Sequence, residues 1–305
     1  MTGACARGTI AAMIVRHLAA LLLALLGLPL ATLPAAAAAA PRCTLPAAVH
    51  APPGWAGDRP LPLVLLLHGS GGTGAAMLRD AGLAATADAH GFLVAYPDAG
   101  IALTAGGFAW NIPGVPTVAG TIPGPGERDD VAYLTGLVDR LVAAGCADPA
   151  RVYVTGLSGG GRMTSLLGCV APGRFAAIAP VVGLRAGIPL AADPTRPDPA
   201  SCRPAQPIAV IAFAGDRDTT NPIDGGGAPY WRYPMHAAEQ RWAALDGCTA
   251  APATRWVSAG VYEERYGDCR AGTEVVARVT VGAGHRWVVD NEALWTLLSR
   301  HRRGG

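Results

Sequence analysis

The sequence predicts an α/β fold with a mostly parallel central sheet and helices on both faces. Three observations carry that expectation. Apolar runs of strand length alternate with stretches of helical periodicity along the chain, the order that builds a parallel sheet with covering helices. The first run, residues 62–67, is apolar without alternation, as expected of a buried strand. The roughly 265 residues beyond an apolar leader suit one such domain, and they show no internal repeat and no Ser/Thr-rich linker.

The elements follow in order. Residues 62–67 form a strand that ends at His68-Gly69, residues 75–90 a helix, and residues 92–96 a second strand. Residues 100–126, rich in Gly, Pro, Thr and Ala, are a long loop, a length usually tied to function or disorder. Residues 129–144 have helical periodicity with Asp129 or Asp130 near the N-cap. A strand over 151–155 leads into a helix over 158–169, followed by a strand over 175–182 and a Pro-rich excursion over 184–206. Residues 208–214 are a strand, 235–245 a helix, 254–281 a strand–turn–strand, and 288–300 a closing helix. Catalytic groups in such sheets sit on loops at the C-terminal ends of the strands.

Charge and composition exclude several classes. The 24 basic residues, all Arg, face 22 acids, and without residues 1–40 the count is 22 against 22. A near-neutral chain is not steered to polyanions, so no nucleic-acid partner is expected. The absence of Lys removes a Walker-type phosphate loop, a Schiff-base enzyme and a Ser–Lys dyad. Arg7, Arg16 and His17 precede an uncharged run, then Pro29, Pro34 and the alanines of residues 35–40. That order is a secretory signal peptide over residues 1–40, and a domain over 41–305 is expected outside the cytoplasm, extracellular or periplasmic, with no stable membrane anchor after cleavage. An uncleaved anchor is the alternative, since residues 18–40 are long enough to span a bilayer.

Seven cysteines become six once Cys5 leaves with the leader. An even count in an exported chain suggests disulfides, with 15 possible pairings. The preferred set is Cys248–Cys269, Cys169–Cys202 and Cys43–Cys146. No C-x-x-C or H-E-x-x-H spacing supports a metal site, and no metal or cofactor is expected.

Gly156-Leu157-Ser158-Gly159-Gly160 fits G-x-S-x-G and lies between a predicted strand and a predicted helix. That context fits the nucleophile turn of an α/β-hydrolase fold, where a strained Ser is lifted clear of the sheet and flanking glycines prevent clashes. The partners then follow as an acid and a histidine. Of the downstream histidines, His236 opens a predicted helix and His301 lies in an Arg-rich tail, whereas His285 follows the last strand in a Gly-rich loop. His285 is therefore the expected base. Asp216, Asp218 and Asp224 compete for the acid on the loop after residue 214, and spacing gives Asp218 only a small lead.

Oxyanion donors are expected from the backbone of Ser70, in His68-Gly69-Ser70-Gly71-Gly72, and of Gly159. The same loop has a rival reading, because Gly69-Ser70-Gly71-Gly72-Thr73-Gly74 matches the G-x-G-x-x-G of dinucleotide sites. Export, the lack of an acid at a strand end about 20 residues on, and the unexplained order of Ser158, Asp218 and His285 all speak against it.

These residues carry a resemblance. Leu67-His68-Gly69-Ser70-Gly71-Gly72, Gly91-Phe92-Leu93-Val94-Ala95-Tyr96-Pro97-Asp98, Asp129-Asp130-Val131 and residues 148–160 resemble the polyhydroxybutyrate depolymerase-like esterases, a family that also holds secreted feruloyl and acetylxylan esterases. Gly215-Asp216-Arg217-Asp218-Thr219-Thr220-Asn221-Pro222 looks like its acid loop, and Gly284-His285-Arg286-Trp287 like its histidine loop. The resemblance implies Asp218 as the acid and supports a Cys248–Cys269 bridge. Two departures, Val288-Val289 after the histidine loop and Ala214 before Gly215, alter pocket walls and leave the triad untouched.

The expected function is a secreted serine esterase that cleaves polyester or hydroxyalkanoate oligomers, or related esters, through an acyl-enzyme. Feruloyl or acetylxylan esters are the alternative, and an acyltransferase of the mycolyl-transfer type, a peptidase or a non-catalytic binding protein are further ones. His68, Trp110, Trp231 and Trp287 are expected to line the substrate groove, with simple core packing as the bland alternative for the aromatics. The resemblance implies a separate binding module in depolymerases of solid polymer. None follows Gly305, so soluble or amorphous esters are favoured, and a monomer is expected.

Overall fold

A computed structural model describes residues 43–228 and 230–304, so the expected signal peptide lies outside the described residues. The strands in chain order are β1 (Val49–His50), β2 (Leu61–Leu67), β3 (Leu93–Ala95), β4 (Ile101–Ala102), β5 (Phe108–Ala109), β6 (Ala147–Leu157) and β7 (Ala177–Val181), followed by β8 (Pro189–Leu190), β9 (Asp193–Pro197), β10 (Ala209–Gly215), β11 (Ala253–Ser258), β12 (Val261–Tyr266) and β13 (Val275–Thr280). The helices are α1 (Gly74–Ala81), α2 (Leu83–His90), α3 (Asp130–Ala143), α4 (Gly159–Val170), α5 (Met235–Asp246) and α6 (Asn291–Leu298).

Nine strands form one sheet in the order β1-β3-β2-β6-β7-β10-β13-β12-β11. The six from β3 to β13 are parallel, and antiparallel partners close the two edges. The α/β expectation thus holds. The central strands are buried on both faces. Leu63, Leu65 and Leu67 join one core with residues of α3, α4 and α5, while Val64 and Leu66 join the other with residues of α1, α2 and α6. A strand with no solvent face has no reason to alternate, which is why residues 61–67 read as a continuous apolar run.

Four local expectations change. The single helix over 75–90 is two, because Gly82 adopts φ 65° and its N–H caps Arg79, a left-handed stop that glycine takes at no steric cost. The late strand–turn–strand is three strands, β11, β12 and β13, with a second connection through residues 267–274. The long loop over 100–126 carries the short β4–β5 hairpin, and Gly71 N–H donates to Phe108 O at 2.9 Å. The Pro-rich excursion holds the β8–β9 hairpin.

Disulfides join Cys43 to Cys146, Cys169 to Cys202 and Cys248 to Cys269, the set preferred from the sequence. The first closes a span of 103 residues, and a loop of that length is worth about 4–5 kcal/mol in the chain-entropy picture.

The sheet register places the site. Leu67 pairs with Gly156, Leu157 with Val181, and Gly215 with Thr280, so β2, β6, β7, β10 and β13 end along one edge. The loops after those ends carry Ser70, Ser158, Asp218 and His285.

Candidate active site

Ser158 sits between β6 and α4 with φ 55° and ψ −110°, a strained conformation for a residue with a Cβ. Its N–H donates to Val181 O at 2.9 Å, and its carbonyl accepts from Arg162 N at 2.9 Å, so strand and helix both grip the turn. The glycines allow that grip. A Cβ on Gly160 would collide with the backbone of Leu67 and His68, so helix α4 packs this closely on the end of β2 only without one.

His285 Nε2 lies 2.8 Å from Ser158 Oγ, and His285 Nδ1 lies 2.7 Å from Asp218 Oδ2. Asp218 is buried. Its Oδ1 accepts from Thr220 N at 2.9 Å and Asn221 N at 2.8 Å. Burial opposes the Asp218 charge, but the bond from His285 and those two N–H donors outweigh it and hold the carboxyl below its usual range. Of the three aspartates, Asp218 is the one whose side chain contacts His285 among the described residues. Asp216 Oδ1 accepts from Gly282 N at 2.6 Å and so braces the histidine loop, while Asp224 borders a separate cleft with His236. Arg217 N donates to Ala283 O at 2.9 Å, so the acid and histidine loops are tied backbone to backbone.

The other histidines are engaged elsewhere. His301 contacts Glu274 at 3.1 Å, and burial, then the charges of Arg300 and Arg265, push its imidazole down to about 4. His236 is exposed beside Glu239 and Glu264, and these three hold candidate ligand atoms within 4.8 Å of one another. Glu239 is buried, and burial followed by the Glu264 charge raises its carboxyl to about 8. The folded chain keeps a proton there that an unfolded glutamate releases above about pH 4. Stability therefore falls as pH rises from about 4 towards about 8. Glu239→Gln is expected to shrink the drop in Tm between pH 5 and pH 8; parallel Tm profiles for variant and wild type would rule this group out.

Ser70 and Gly159 face each other, since a Cβ on Gly159 would lie inside contact distance of Ser70 Oγ and 3.1 Å from Ser70 N. Gly159 opens α4, where the first N–H groups have no intrahelical acceptor, and Ser70 N–H donates to no described residue. Both donors thus stand free beside Ser158. Gly159→Ala is expected to lower kcat by roughly a hundred- to a thousandfold, by crowding this pair apart; stopped assays with a p-nitrophenyl ester would show unchanged kcat if the pair holds no oxyanion.

The four residues expected at the groove sit in different surroundings. His68 is buried, with Ala99 N–H donating to Nε2 at 3.0 Å and Nδ1 lying 2.8 Å from Gly69 O. Burial holds its imidazole below the ordinary value, the Gly69 bond acting the other way. It is a strut that fixes the loop of Ser70. Trp231 is buried too and gives its indole N–H to Pro222 O at 2.7 Å, so its polar edge is satisfied inside the core. Trp110 donates to His68 O at 2.8 Å, and little of it is exposed, at a small recess shared with Ser70, Gly159 and Arg162. Trp287 borders an open groove of about 590 Å³ with Ser70, Met77 and His285, and His68 also reaches the wall of that groove.

The dinucleotide reading fails at the helix it requires. Asp98 Oδ1 accepts from Gly74 N at 2.7 Å, so a carboxylate occupies the N-terminus of α1 where a phosphate would sit. Asp88 lies within α2 and pairs with His50 at 2.7 Å.

Sequence reading missed Asn221. Its N–H holds Asp218 and its Nδ2 donates to Val182 O at 2.7 Å, where Val182 has φ 43°. It also missed Arg162 and Arg185, two buried guanidiniums. Arginine within an apolar helix, as in Gly161-Arg162-Met163, was the available signal.

Comparison with known proteins finds esterases. The pattern of the family described as esterase PHB depolymerase matches residues 45–215. The chain is 29% identical over 240 residues to feruloyl esterase B of Piromyces equi, covering 77% of this chain and 41% of that protein. It is 36% identical over 135 residues to poly(3-hydroxyalkanoate) depolymerase C of Paucimonas lemoignei, covering 44% of this chain and 30% of that one. It therefore spans less than half the length of these relatives. An acetyl xylan esterase structure from Aspergillus awamori superposes with a TM-score of 0.59 at 19% identity over 82% of this chain and 92% of the other, a likeness of fold.

Proposed function

The chain belongs to the PHB depolymerase family of esterases, and on that premise we propose that it is an exported serine hydrolase of carboxylic esters. The observation that carries this reading is the hydrogen-bonded chain from Ser158 Oγ through His285 to Asp218, at 2.8 and 2.7 Å. His285 takes the Ser158 proton as Oγ attacks the ester carbonyl, and Asp218 holds the imidazole tautomer. The N–H groups of Ser70 and Gly159 receive the negative charge on the carbonyl oxygen. His285 then gives the proton to the departing alcohol, and water repeats the sequence to free the acid. The groove beside His285 and Trp287 is open and takes a chain-like alcohol half.

Hydroxyalkanoate oligomers are the preferred substrates, as the family description suggests. Feruloyl esters are the second reading, because the feruloyl esterase relative aligns over most of this chain. Export behind residues 1–40, with residues 41–305 as the catalytic domain, is supported by the three disulfides. Among the described residues no helix is long and apolar enough to cross a membrane.

The test incubates wild type and Ser158→Ala with p-nitrophenyl butyrate, methyl ferulate and a 3-hydroxybutyrate oligomer. Acid release by wild type alone supports the hydrolase, and the ratio of the last two rates chooses the substrate. Turnover only when an alcohol acceptor is added would replace hydrolysis with acyl transfer.

A further inference from the structure

Arg162 and Arg185 are 5% and 7% exposed, and neither pairs with a carboxylate among the described residues. Arg162 lies over the Tyr230 ring at 3.9 Å, its side chain donates to no described residue, and its buried Nε is unpartnered. Arg185 lies over the Trp231 ring at 3.1 Å and gives one nitrogen to Tyr233 O at 2.7 Å, while its Nε and the other terminal nitrogen are buried without a partner. Stacking on rings offsets part of the charge but accepts none of these N–H bonds. A guanidinium does not escape the cost by losing its proton, so two unpaired ones in an apolar wall call for an anion.

Both line one pocket of about 280 Å³, walled also by Leu166, Val170 and Ile188. Ile112, Val115 and Arg162 border both this pocket and the recess of Ser70 and Gly159, so the cations lie next to the oxyanion donors. We propose that this pocket binds a carboxylate carried by the ester substrate, a short apolar chain away from the scissile carbonyl, with Arg162 and Arg185 as its counter-ions. The planar forks suit two carboxylate oxygens, and the aliphatic walls suit the intervening carbons. The inference rests on the esterase reading and narrows it. The preferred substrates are half-esters of dicarboxylic acids or short esters of hydroxy acids with a free terminus, and a long neutral polymer segment is disfavoured.

Two substrate pairs test it. One is mono-p-nitrophenyl glutarate against its methyl ester, which puts the carboxylate on the acyl half. The other is 3-butyryloxybutyrate against its methyl ester, which puts it on the alcohol half. In at least one pair the free acid is expected to have the higher kcat/KM, by roughly ten- to a hundredfold, and the responding pair tells which half enters. Arg162→Gln is expected to bring that ratio close to one, and Arg162→Lys, which keeps the charge but loses the fork, to leave it between the two. Neutral esters turned over with no preference in either pair, or a ratio that survives Arg162→Gln, would overturn the proposal while the esterase reading stands. Should no ester be turned over, the esterase reading falls, and calorimetric titration of Ser158→Ala with monomethyl glutarate decides the pocket. Binding that weakens at least tenfold on adding Arg162→Gln supports it, and no binding, or binding unchanged by that substitution, overturns it.

Discussion

Ser158→Ala is expected to lower ester turnover by on the order of a million-fold while the fold persists. The loss is large because, among the described residues, Ser158 Oγ is the hydroxyl placed on the imidazole, at 2.8 Å, next to Gly159 and the loop of Ser70. The fold persists because the turn is held by backbone contacts to Val181 and Arg162 that alanine keeps. Its φ of 55° is a strain that both residues bear. Ser158→Gly relieves that strain, and is expected to be as inactive and to melt higher, the trade of stability for activity found at strained catalytic positions. Thermal melts of the two variants check this alongside the rates.

Asp218→Asn is expected to cost about ten-thousandfold in kcat at neutral pH. The reason lies on the other side of the carboxylate. Oδ1 accepts from the N–H groups of Thr220 and Asn221, so an asparagine must turn its own oxygen there. Its NH2 then faces His285 Nδ1, which has to become the acceptor and leaves the proton on Nε2. An Nε2–H pointing at Ser158 does not take the Ser158 proton. A variant that keeps more than about a tenth of the wild-type kcat would show that Asp218 does not set the tautomer.

Much of this was legible because the parallel sheet leaves a plain trace. Leu61–Leu67 and Ala209–Gly215 are buried on both faces and read as unbroken apolar runs. Ser158 and His285 stood out because their Gly-rich loops follow predicted strands directly. What lay hidden depends on contacts between distant segments. Gly82 splits one helical pattern with a single left-handed residue, which periodicity averages away. Trp231 and His68 carry polar edges like groove residues, yet Pro222 and Ala99 satisfy those edges inside the core. Spacing left Asp216, Asp218 and Asp224 open and only the resemblance pointed to Asp218, because the contacts that separate them, from Gly282 to Asp216 and from Asn221 to Asp218, are not encoded in spacing. Arg162 and Arg185 are 23 positions apart and meet only where α4 and the segment after β7 close one pocket.

The most direct test of the account is covalent titration of the nucleophile. The purified protein is treated with a p-nitrophenyl alkylphosphonate, p-nitrophenol release is counted, and the adduct is located by peptide mass spectrometry. One equivalent is expected to be released per chain, with one phosphonyl group on the peptide that contains Ser158 and no labelling of Ser158→Ala. Labelling at another residue, or equal labelling of the alanine variant, would contradict it.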